Sequence, residues 1–252
     1  MSQSSGKVRV AVDSMGGDYA PAEIVKGAAV AARAGLVEVI LVGQEDVIAE
    51  ELRVQGIPED LMKCVHAPEV IREGEPPATA IRQKRKSSIV VAARMVRDGE
   101  VDAFVSAGSS GAVAAAAATY IGMVEGMERP TVGGGFSSFE PNIVLMDLGA
   151  NVDCKPHQLL SFAIAGTVYA RSVFHIPNPT VGLLSTGSEE GKGNEVVKEA
   201  YALLRNSGLN FVGNVEGGDI LAGKANVIVC DGFVGNILLK FYVRVGDRAR
   251  VL

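Results

Sequence analysis

The chain has 252 residues, 48% of them hydrophobic and 21% charged, so it can bury one large core or two lobes that share one sheet. Its 24 basic and 29 acidic side chains give a formal net charge of -5, which argues against bulk binding to a nucleic-acid backbone. Five tyrosines, eight phenylalanines and no tryptophan leave little for base stacking. We therefore expect an ordinary globular protein with no nucleic-acid partner.

The cysteines and the apolar runs indicate in which cellular compartment the protein is expected. Cys64, Cys154 and Cys230 are odd in number and have no C-x-x-C spacing, so neither a disulfide framework nor a zinc site is indicated. The leader at 1–7 is polar and lacks the apolar core of a signal peptide. The run Ala112–Val124 is too short to span a bilayer. We expect a cytoplasmic protein without a bound metal.

Apolar runs typical of strands alternate along the chain with runs of helical periodicity. The predicted strands are Val8–Val12, Val37–Val42, Met62–Ala67, Ala103–Ser106, Ile143–Asp147, Val181–Ser185 and Asn226–Cys230. The predicted helices run from Pro21 to Gly35, over Asp46–Gln55 and Ser87–Arg97, from Ala107 onward, over His157–Arg171 and Glu195–Asn206, and from Gly235. This alternation predicts an α/β/α sandwich with a mostly parallel sheet.

We predict one catalytic domain over residues 8–240, with a flexible leader at 1–7 and an atypical tail at 241–252. The stretch 131–142 contains three consecutive glycines, Gly133–Gly135, and has the most flexible composition in the chain. It is interpreted as a hinge or lobe connection.

Glycine-rich turns with polar side chains follow four predicted strands, at Asp13–Asp18, Ser106–Gly111, Asp147–Asp153 and Cys230–Asn236. In open α/β sheets the ligand cleft lies at the carboxyl ends of the strands, so these turns are expected to converge on one cleft. Backbone N–H groups at such turns suit phosphate, although glycine also simply forms tight turns. The residues predicted to form the phosphate or substrate site are Asp13, Gly16, Gly17, Asp18, Ser106, Gly108, Ser109, Asn151, Asp153, Gly193, Asn194, Asp231 and Gly235. The four aspartates among them are expected to hold loops and orient neighbouring groups, because a carboxylate repels phosphate.

Six strings in order resemble the bacterial phosphate acyltransferases of phospholipid synthesis, the PlsX family. They are Ala11–Pro21, Ala103–Gly108, Leu148–Asp153, Lys192–Glu195, Gly213–Gly217 and Asp231–Asn236, and the resemblance extends from Val8 to about Lys240. It implies an enzyme that makes acyl phosphate from acyl-acyl carrier protein and inorganic phosphate without a cofactor. It also implies a fold similar to that of phosphotransacetylases and isocitrate/isopropylmalate dehydrogenases, in a homodimer with peripheral membrane contact.

The sequence also departs from the family pattern. The family usually has Asn-Thr at Ser109 and Ser110, Asn at Ser185, Arg at Gly218 and Thr at Val234. Each change removes a polar or charged group near the expected cleft. An impaired paralogue that binds a small anion or nucleotide is therefore an alternative, and a nicotinamide-dependent dehydrogenase is a weaker one because G-x-G-x-x-G is absent. The residues after Lys240 also differ from the family, so we expect weaker membrane contact.

Two side chains are predicted to be catalytic. Lys192 lies between two glycines just before a helix, where a cation can reach an anion at the helix N-terminus. The surrounding glycine spacing is one residue short of a Walker A loop, which argues against an ATPase. Asn236 can donate to a phosphate or thioester oxygen. Alternatively, Lys192 is only a solvent-exposed lysine at the start of a helix, and Asn236 only caps a helix.

Phosphate itself can attack a thioester, so no protein nucleophile is required. The chain has no G-x-S-x-G string, and its three scattered histidines, at 66, 157 and 175, suggest no catalytic triad. Cys154 and Cys230 lie beside the turns and could accept the acyl group, but a cysteine at a strand end is more often an apolar filler.

The basic run of Arg82, Lys84, Arg85 and Lys86 is predicted to dock an acidic carrier protein. An equally simple interpretation is that these basic side chains are only solvent-exposed residues that lead into the following helix.

Overall fold

The computed structural model describes residues 6–136 and 142–249. The chain divides into two compact units, which meet in sequence between Gly122 and Met123, and the described strands pair within each unit. The single domain at 8–240 and the hinge at 131–142 stay predictions. Residues 1–5 of the predicted leader, 137–141 of the predicted hinge and 250–252 of the predicted tail lie outside the described residues.

The N-terminal unit contains a parallel sheet of four described strands in the order β3-β2-β1-β4. The strands are β1 Val8–Asp13, β2 Val37–Gly43, β3 Lys63–His66 and β4 Ala103–Ser106. The helices are α1 Ala22–Ala34, α2 Glu45–Val54, α3 Pro77–Gln83, α4 Ser88–Arg97 and α5 Ser110–Ala116, the last followed by a π-helical segment over Ala117–Ile121. Val25, Leu41 and Ile48 form a core on one face of the sheet, and Val42 and Ala92 pack on the other.

The C-terminal unit contains five described strands in the order β5-β6-β9-β7-β8, all parallel except β5, which is antiparallel to β6. The strands are β5 Gly133–Gly135, β6 Val144–Met146, β7 Thr180–Leu184, β8 Asn210–Val215 and β9 Val227–Val229. The helices are α6 Pro156–Val173, α7 Glu195–Arg205, α8 Gly217–Leu221 and α9 Gly232–Ala249. Phe162 and Leu183 belong to the core on one face, and Leu145 and Ile228 to the core on the other.

The alternation of strands and helices predicted from the sequence is confirmed, whereas β5, β8, α3, α8 and a 3₁₀ helix over Glu59–Leu61 were not predicted. β5 consists of the three glycines interpreted as a hinge. A Cβ on Gly133 would collide with the Leu145 carbonyl oxygen, and one on Gly135 would lie 3.0 Å from the Phe174 ring. These glycines therefore permit close packing at a sheet edge.

The final helix begins at Gly232, before its predicted start at Gly235, and continues to Ala249 through most of the predicted tail. Of the residues that the structure describes, none form a helix both long enough and apolar enough to cross a membrane.

Candidate active site

In the N-terminal unit, Asp13 and Ser106 end the adjacent strands β1 and β4 and lie opposite each other in the sheet register. Asp13 is buried, with 3% of its surface exposed. Ser106 Oγ donates a hydrogen bond to Asp13 Oδ2 at 2.7 Å, and the Gly108 N–H donates to Ser106 Oγ at 3.1 Å. The two predicted turns of this unit are therefore brought together around one carboxylate.

Two predicted glycines close this cluster. A Cβ on Gly16 would lie 2.5 Å from Asp13 Oδ2 and 3.0 Å from Ser106 Oγ. Gly17 has a φ of +110° and faces the Ala107 carbonyl oxygen, so both positions require glycine. The predicted ligands Asp18 and Ser109 are exposed at the edges of the turns, and Ser109 makes no side-chain cap on α5.

In the C-terminal unit, the central residue is Asp147, which the sequence interpretation placed at the end of a strand but did not select as a site residue. Its side chain is fully buried. Oδ1 accepts hydrogen bonds from the N–H groups of Val132, Gly149 and Ala150 at 3.1 to 3.2 Å. Oδ2 accepts from the backbone N–H and the side-chain amide of Asn151 at 2.8 and 2.7 Å. Asp147 therefore organises the whole turn.

Asn151, a predicted ligand, is part of the same network. Its Nδ2 donates to Asp147 Oδ2 and to the Pro130 carbonyl oxygen, both at 2.7 Å. Its own carbonyl oxygen accepts from the Gly232 N–H at 2.7 Å. The Asn151 amide therefore holds loops together, whereas the nearby predicted ligand Asp153 is exposed.

The turn after β9 supplies Asp231, Gly235 and Asn236. Asp231 Oδ1 accepts from the Val234 N–H at 2.8 Å and so caps the first turn of α9. A Cβ on Gly235 would collide with the Asp147 carbonyl oxygen. Because α9 begins at Gly232, the alternative interpretation of Asn236 as a helix cap is wrong. Its side chain lies instead beside Gly149, where a Cβ would be 3.4 to 3.6 Å from the Asn236 side-chain atoms.

Lys192 is exposed on the loop before α7. Its N–H donates to the Glu189 carbonyl oxygen at 3.0 Å, and Asn214 Nδ2 on β8 donates to the same oxygen at 2.8 Å. Asn214 is buried and its Oδ1 has no partner among the described residues. It thus ties the Lys192 loop to the sheet. The sequence interpretation quoted the string Gly213–Gly217 without assigning a role to this asparagine.

Gly193 and Asn194 connect that loop to α7. Asn194 Oδ1 accepts from the Val197 N–H at 2.9 Å and caps the helix. Gly193 has a φ of +98°, and a Cβ there would lie 2.9 Å from Ser185 Oγ. Both residues have a conformational role besides any contact with substrate.

Burial makes the two cysteines beside these turns poor nucleophiles. It raises the pKa of the Cys154 thiol to about 11 and raises the pKa of the Cys230 thiol well above its ordinary value. At neutral pH both groups are therefore thiols, whereas the thiolate is the reactive form. This disfavours the hypothesis of an acyl-cysteine intermediate.

The basic run lies at the end of α3 and after it. Lys84 Nζ donates to Glu75 Oε1 at 2.6 Å and to the Val70 carbonyl oxygen at 2.9 Å, and its hydrogen bond holds the pKa of Glu75 below the usual range. Arg82, Arg85 and Lys86 are exposed. Lys84 therefore tethers the preceding loop, and three cations of the run face solvent.

Comparison with solved structures identifies the fold. A phosphotransacetylase from Streptococcus pyogenes matches with a TM-score of 0.68 and 22% sequence identity, over 95% of this chain and 82% of that one. A 4-hydroxythreonine-4-phosphate dehydrogenase from Burkholderia phymatum matches with a TM-score of 0.53 and 15% identity, over 88% of this chain and 79% of that one. The predicted α/β fold, shared by phosphotransacetylases and dehydrogenases, is thus confirmed.

Sequence comparison gives the family. The model of a family described as "Fatty acid synthesis protein" matches residues 8–251. Phosphate acyltransferases from Pelotomaculum thermopropionicum and Aquifex aeolicus are 52% and 49% identical over 233 and 234 residues. The aligned residues cover 92% of this chain in both cases, and 68% and 69% of the relatives. The chain belongs to the phosphate acyltransferase family, as the six strings predicted.

Proposed function

We propose that the chain makes acyl phosphate from acyl-acyl carrier protein and inorganic phosphate, an early step of phospholipid synthesis. The observation that carries this proposal is the 52% identity to a phosphate acyltransferase over 92% of the chain. The alternative of an impaired paralogue rested on the changes at Ser109, Ser110 and Gly218. The comparisons favour the enzyme, since the similar relatives are phosphate acyltransferases.

In the proposed reaction, an oxygen of hydrogen phosphate attacks the thioester carbonyl carbon. The new C–O bond forms, the C–S bond breaks, and the phosphate proton leaves on the carrier thiol. Lys192 and Asn236 stabilise the negative charge that develops on the carbonyl and phosphate oxygens. The raised pKa values of Cys154 and Cys230 support direct attack by phosphate, because neither thiol is poised to take the acyl group first.

The glycine-rich turns of each unit are proposed to be preorganised for contact with phosphate. In the N-terminal unit, Asp13 and Ser106 fix the two turns, so that the Gly16 and Gly17 backbone is held in one conformation. In the C-terminal unit, Asp147 does the same for the turn at Asn151. The aspartates orient backbone groups and are not themselves expected to face phosphate, since like charges repel.

A homodimer is part of the proposal. Four apolar residues of α9 recur at every fourth position, and each has half or more of its surface exposed: Phe233, Ile237, Phe241 and Val245. Such a stripe on a helix favours burial against a partner, and a second copy of the chain would cover it. We also propose a cytoplasmic enzyme whose contact with membranes is peripheral.

The function is tested by incubating the purified chain with palmitoyl-acyl carrier protein and measuring free thiol. We expect thiol release that depends on added phosphate and that sulfate cannot replace. Detection of palmitoyl phosphate by mass spectrometry identifies the product. Thiol release at the same rate without phosphate would indicate a thioesterase, and no release at all would contradict the proposal.

A further inference from the structure

A cavity of about 350 Å³ lies within the C-terminal unit, where β7 and β9 end. This volume falls near the lower end of the range of roughly 300–1,000 Å³ typical of small-molecule sites. Its walls are mostly apolar and come from β7 and from helices α6, α7 and α9. The apolar lining residues are Leu159, Leu183, Leu184, Val197, Val234 and Leu238.

The lining also includes the polar residues Ser185, Thr186, Asn194 and Asp231. Ser185 Oγ is buried and has no hydrogen-bond partner among the described residues. The serine is held in place because its N–H donates to the Val215 carbonyl oxygen at 2.9 Å. A buried hydroxyl without a partner is unfavourable. Because Ser185 also lines the cavity, its hydroxyl is a hydrogen-bond donor that a bound ligand can use.

The charges of the lining identify the kind of ligand. Asp231 is the charged residue among those that line the cavity, and they include no lysine, arginine or histidine. A phosphate would meet a carboxylate without a compensating cation, which is unfavourable. The hydroxyl of Ser185 and the apolar walls instead suit a neutral carbonyl attached to a hydrocarbon chain.

We propose that this cavity binds the acyl group of the thioester substrate, with the Ser185 hydroxyl donating a hydrogen bond to the thioester carbonyl oxygen. The inference rests on the proposed function. It makes Ser185 a residue that contacts substrate and makes Val234 a determinant of acyl-chain length. Gly193 is required beside them, because a Cβ there would lie 2.9 Å from Ser185 Oγ and crowd the hydroxyl.

The kinetic test compares butyryl and palmitoyl donors on the same carrier protein. Ser185→Ala is expected to lower kcat/KM about tenfold for both donors, as is typical of one lost hydrogen bond to a charge-bearing oxygen, and to leave the KM for phosphate unchanged. Val234 lines the cavity and has 36% of its surface exposed. The larger side chain in Val234→Phe is expected to occupy part of the cavity, and so to lower kcat/KM for palmitoyl about tenfold and for butyryl less than twofold.

Matched controls lie elsewhere in the same unit. Ser161→Ala removes a hydroxyl that donates to the His157 carbonyl oxygen on α6, and Val212→Phe enlarges an exposed valine of β8. Neither residue lines the cavity, so both variants should match the wild type. If Ser185→Ala and Val234→Phe behave like these controls, the cavity does not hold the acyl group.

A binding measurement separates this inference from the proposed function. The probe is palmitoyl-pantetheine with a methylene group in place of the thioester sulfur, titrated by calorimetry. We expect wild-type binding to weaken about tenfold in Ser185→Ala and in Val234→Phe, with the fold confirmed by circular dichroism. Wild type that binds the probe without turnover would keep the cavity assignment and overturn the function. Turnover with unchanged binding in both variants would overturn the assignment alone.

Discussion

The two units each place a buried aspartate at the carboxyl end of a strand, but the two carboxylates differ in how fully they are hydrogen-bonded. Asp13 accepts from the Met15 N–H and from Ser106 Oγ. Asp147 accepts from four backbone N–H groups and from the Asn151 amide. A carboxylate offers about four lone-pair sites. Among the described residues, five donors therefore saturate Asp147, four of them from its own turn, whereas two donors reach Asp13.

This difference separates groups that stabilise the fold from groups that can meet a substrate. A saturated buried group has no hydrogen bond left to offer, so its removal should act on stability. An exposed group such as Lys192 has little structural role, so its removal should act on catalysis. The same contrast distinguishes Lys84, which pairs with Glu75, from the exposed Arg82 nearby.

The largest effect is expected at Asp147. Asp147→Ala leaves buried N–H donors without an acceptor and should lower the free energy of unfolding by on the order of 4 kcal/mol. Asp13→Ala should cost about 1–2 kcal/mol, since fewer donors lose their partner. Urea unfolding measures both, with exposed Asp153→Ala as the control. Equal losses at Asp13 and Asp147 would show that the hydrogen-bond difference does not set their roles.

Lys192 should give the reverse result. Lys192→Ala is expected to lower phosphate-dependent turnover by about 100-fold, or about 3 kcal/mol of transition-state stabilisation, while the unfolding free energy changes by less than about 0.5 kcal/mol. Lys198→Ala, at an exposed position of the adjoining helix α7, is the matched control. If both variants keep wild-type turnover, Lys192 is not catalytic.

Asn214 connects the two kinds of residue, because it is buried and also holds the Lys192 loop through the Glu189 carbonyl oxygen. Asn214→Ala should lower turnover about tenfold and cost about 1 kcal/mol of stability. In the Lys192→Ala background its effect on turnover should nearly vanish, since coupled residues are not additive. Asn206→Ala is the control, because it removes an exposed hydrogen bond from the Asn206 side-chain amide to the Ala202 carbonyl oxygen. Full additivity with Lys192→Ala would contradict a positioning role.

The features that could be predicted from the sequence are local ones. Gly35 was predicted to end α1 and does so in a left-handed conformation, which depends on its immediate neighbours. Asn194 was predicted only as a site residue, but its cap on α7 is also a local feature. The role of Asp147 was not predicted, although four of its donors are local, because its burial and the hydrogen bond from the Val132 N–H depend on segments outside its turn. Strand β5, which consists of glycines, was likewise not predicted, because these glycines are required by packing against Phe174 and not by local strand propensity.

The same reasoning explains why the cavity proposed to hold the acyl group was not predicted. Its lining residues are ordinary core side chains in the sequence, drawn from β7, α6, α7 and α9. The polar part of the lining has a sequence signal, because Gly193, Asn194 and Asp231 were predicted as site residues and Ser185 follows a buried strand. Whether a serine in that position finds a partner depends on the arrangement of residues far away in the chain.

The smallest expected effect concerns the exposed cations of the basic run, which the structure leaves without the tether that engages Lys84. Reversing their charge in Arg82→Glu/Arg85→Glu/Lys86→Glu should raise the KM for acyl-acyl carrier protein about fivefold at low ionic strength, because steering by exposed charges is modest. The increase should shrink above 0.1 M salt, where the Debye length falls below about 10 Å. The KM for palmitoyl-pantetheine, which carries no protein, should not change. An equal increase for both donors would show that the substitutions act on the enzyme itself and not on docking of an acidic carrier protein.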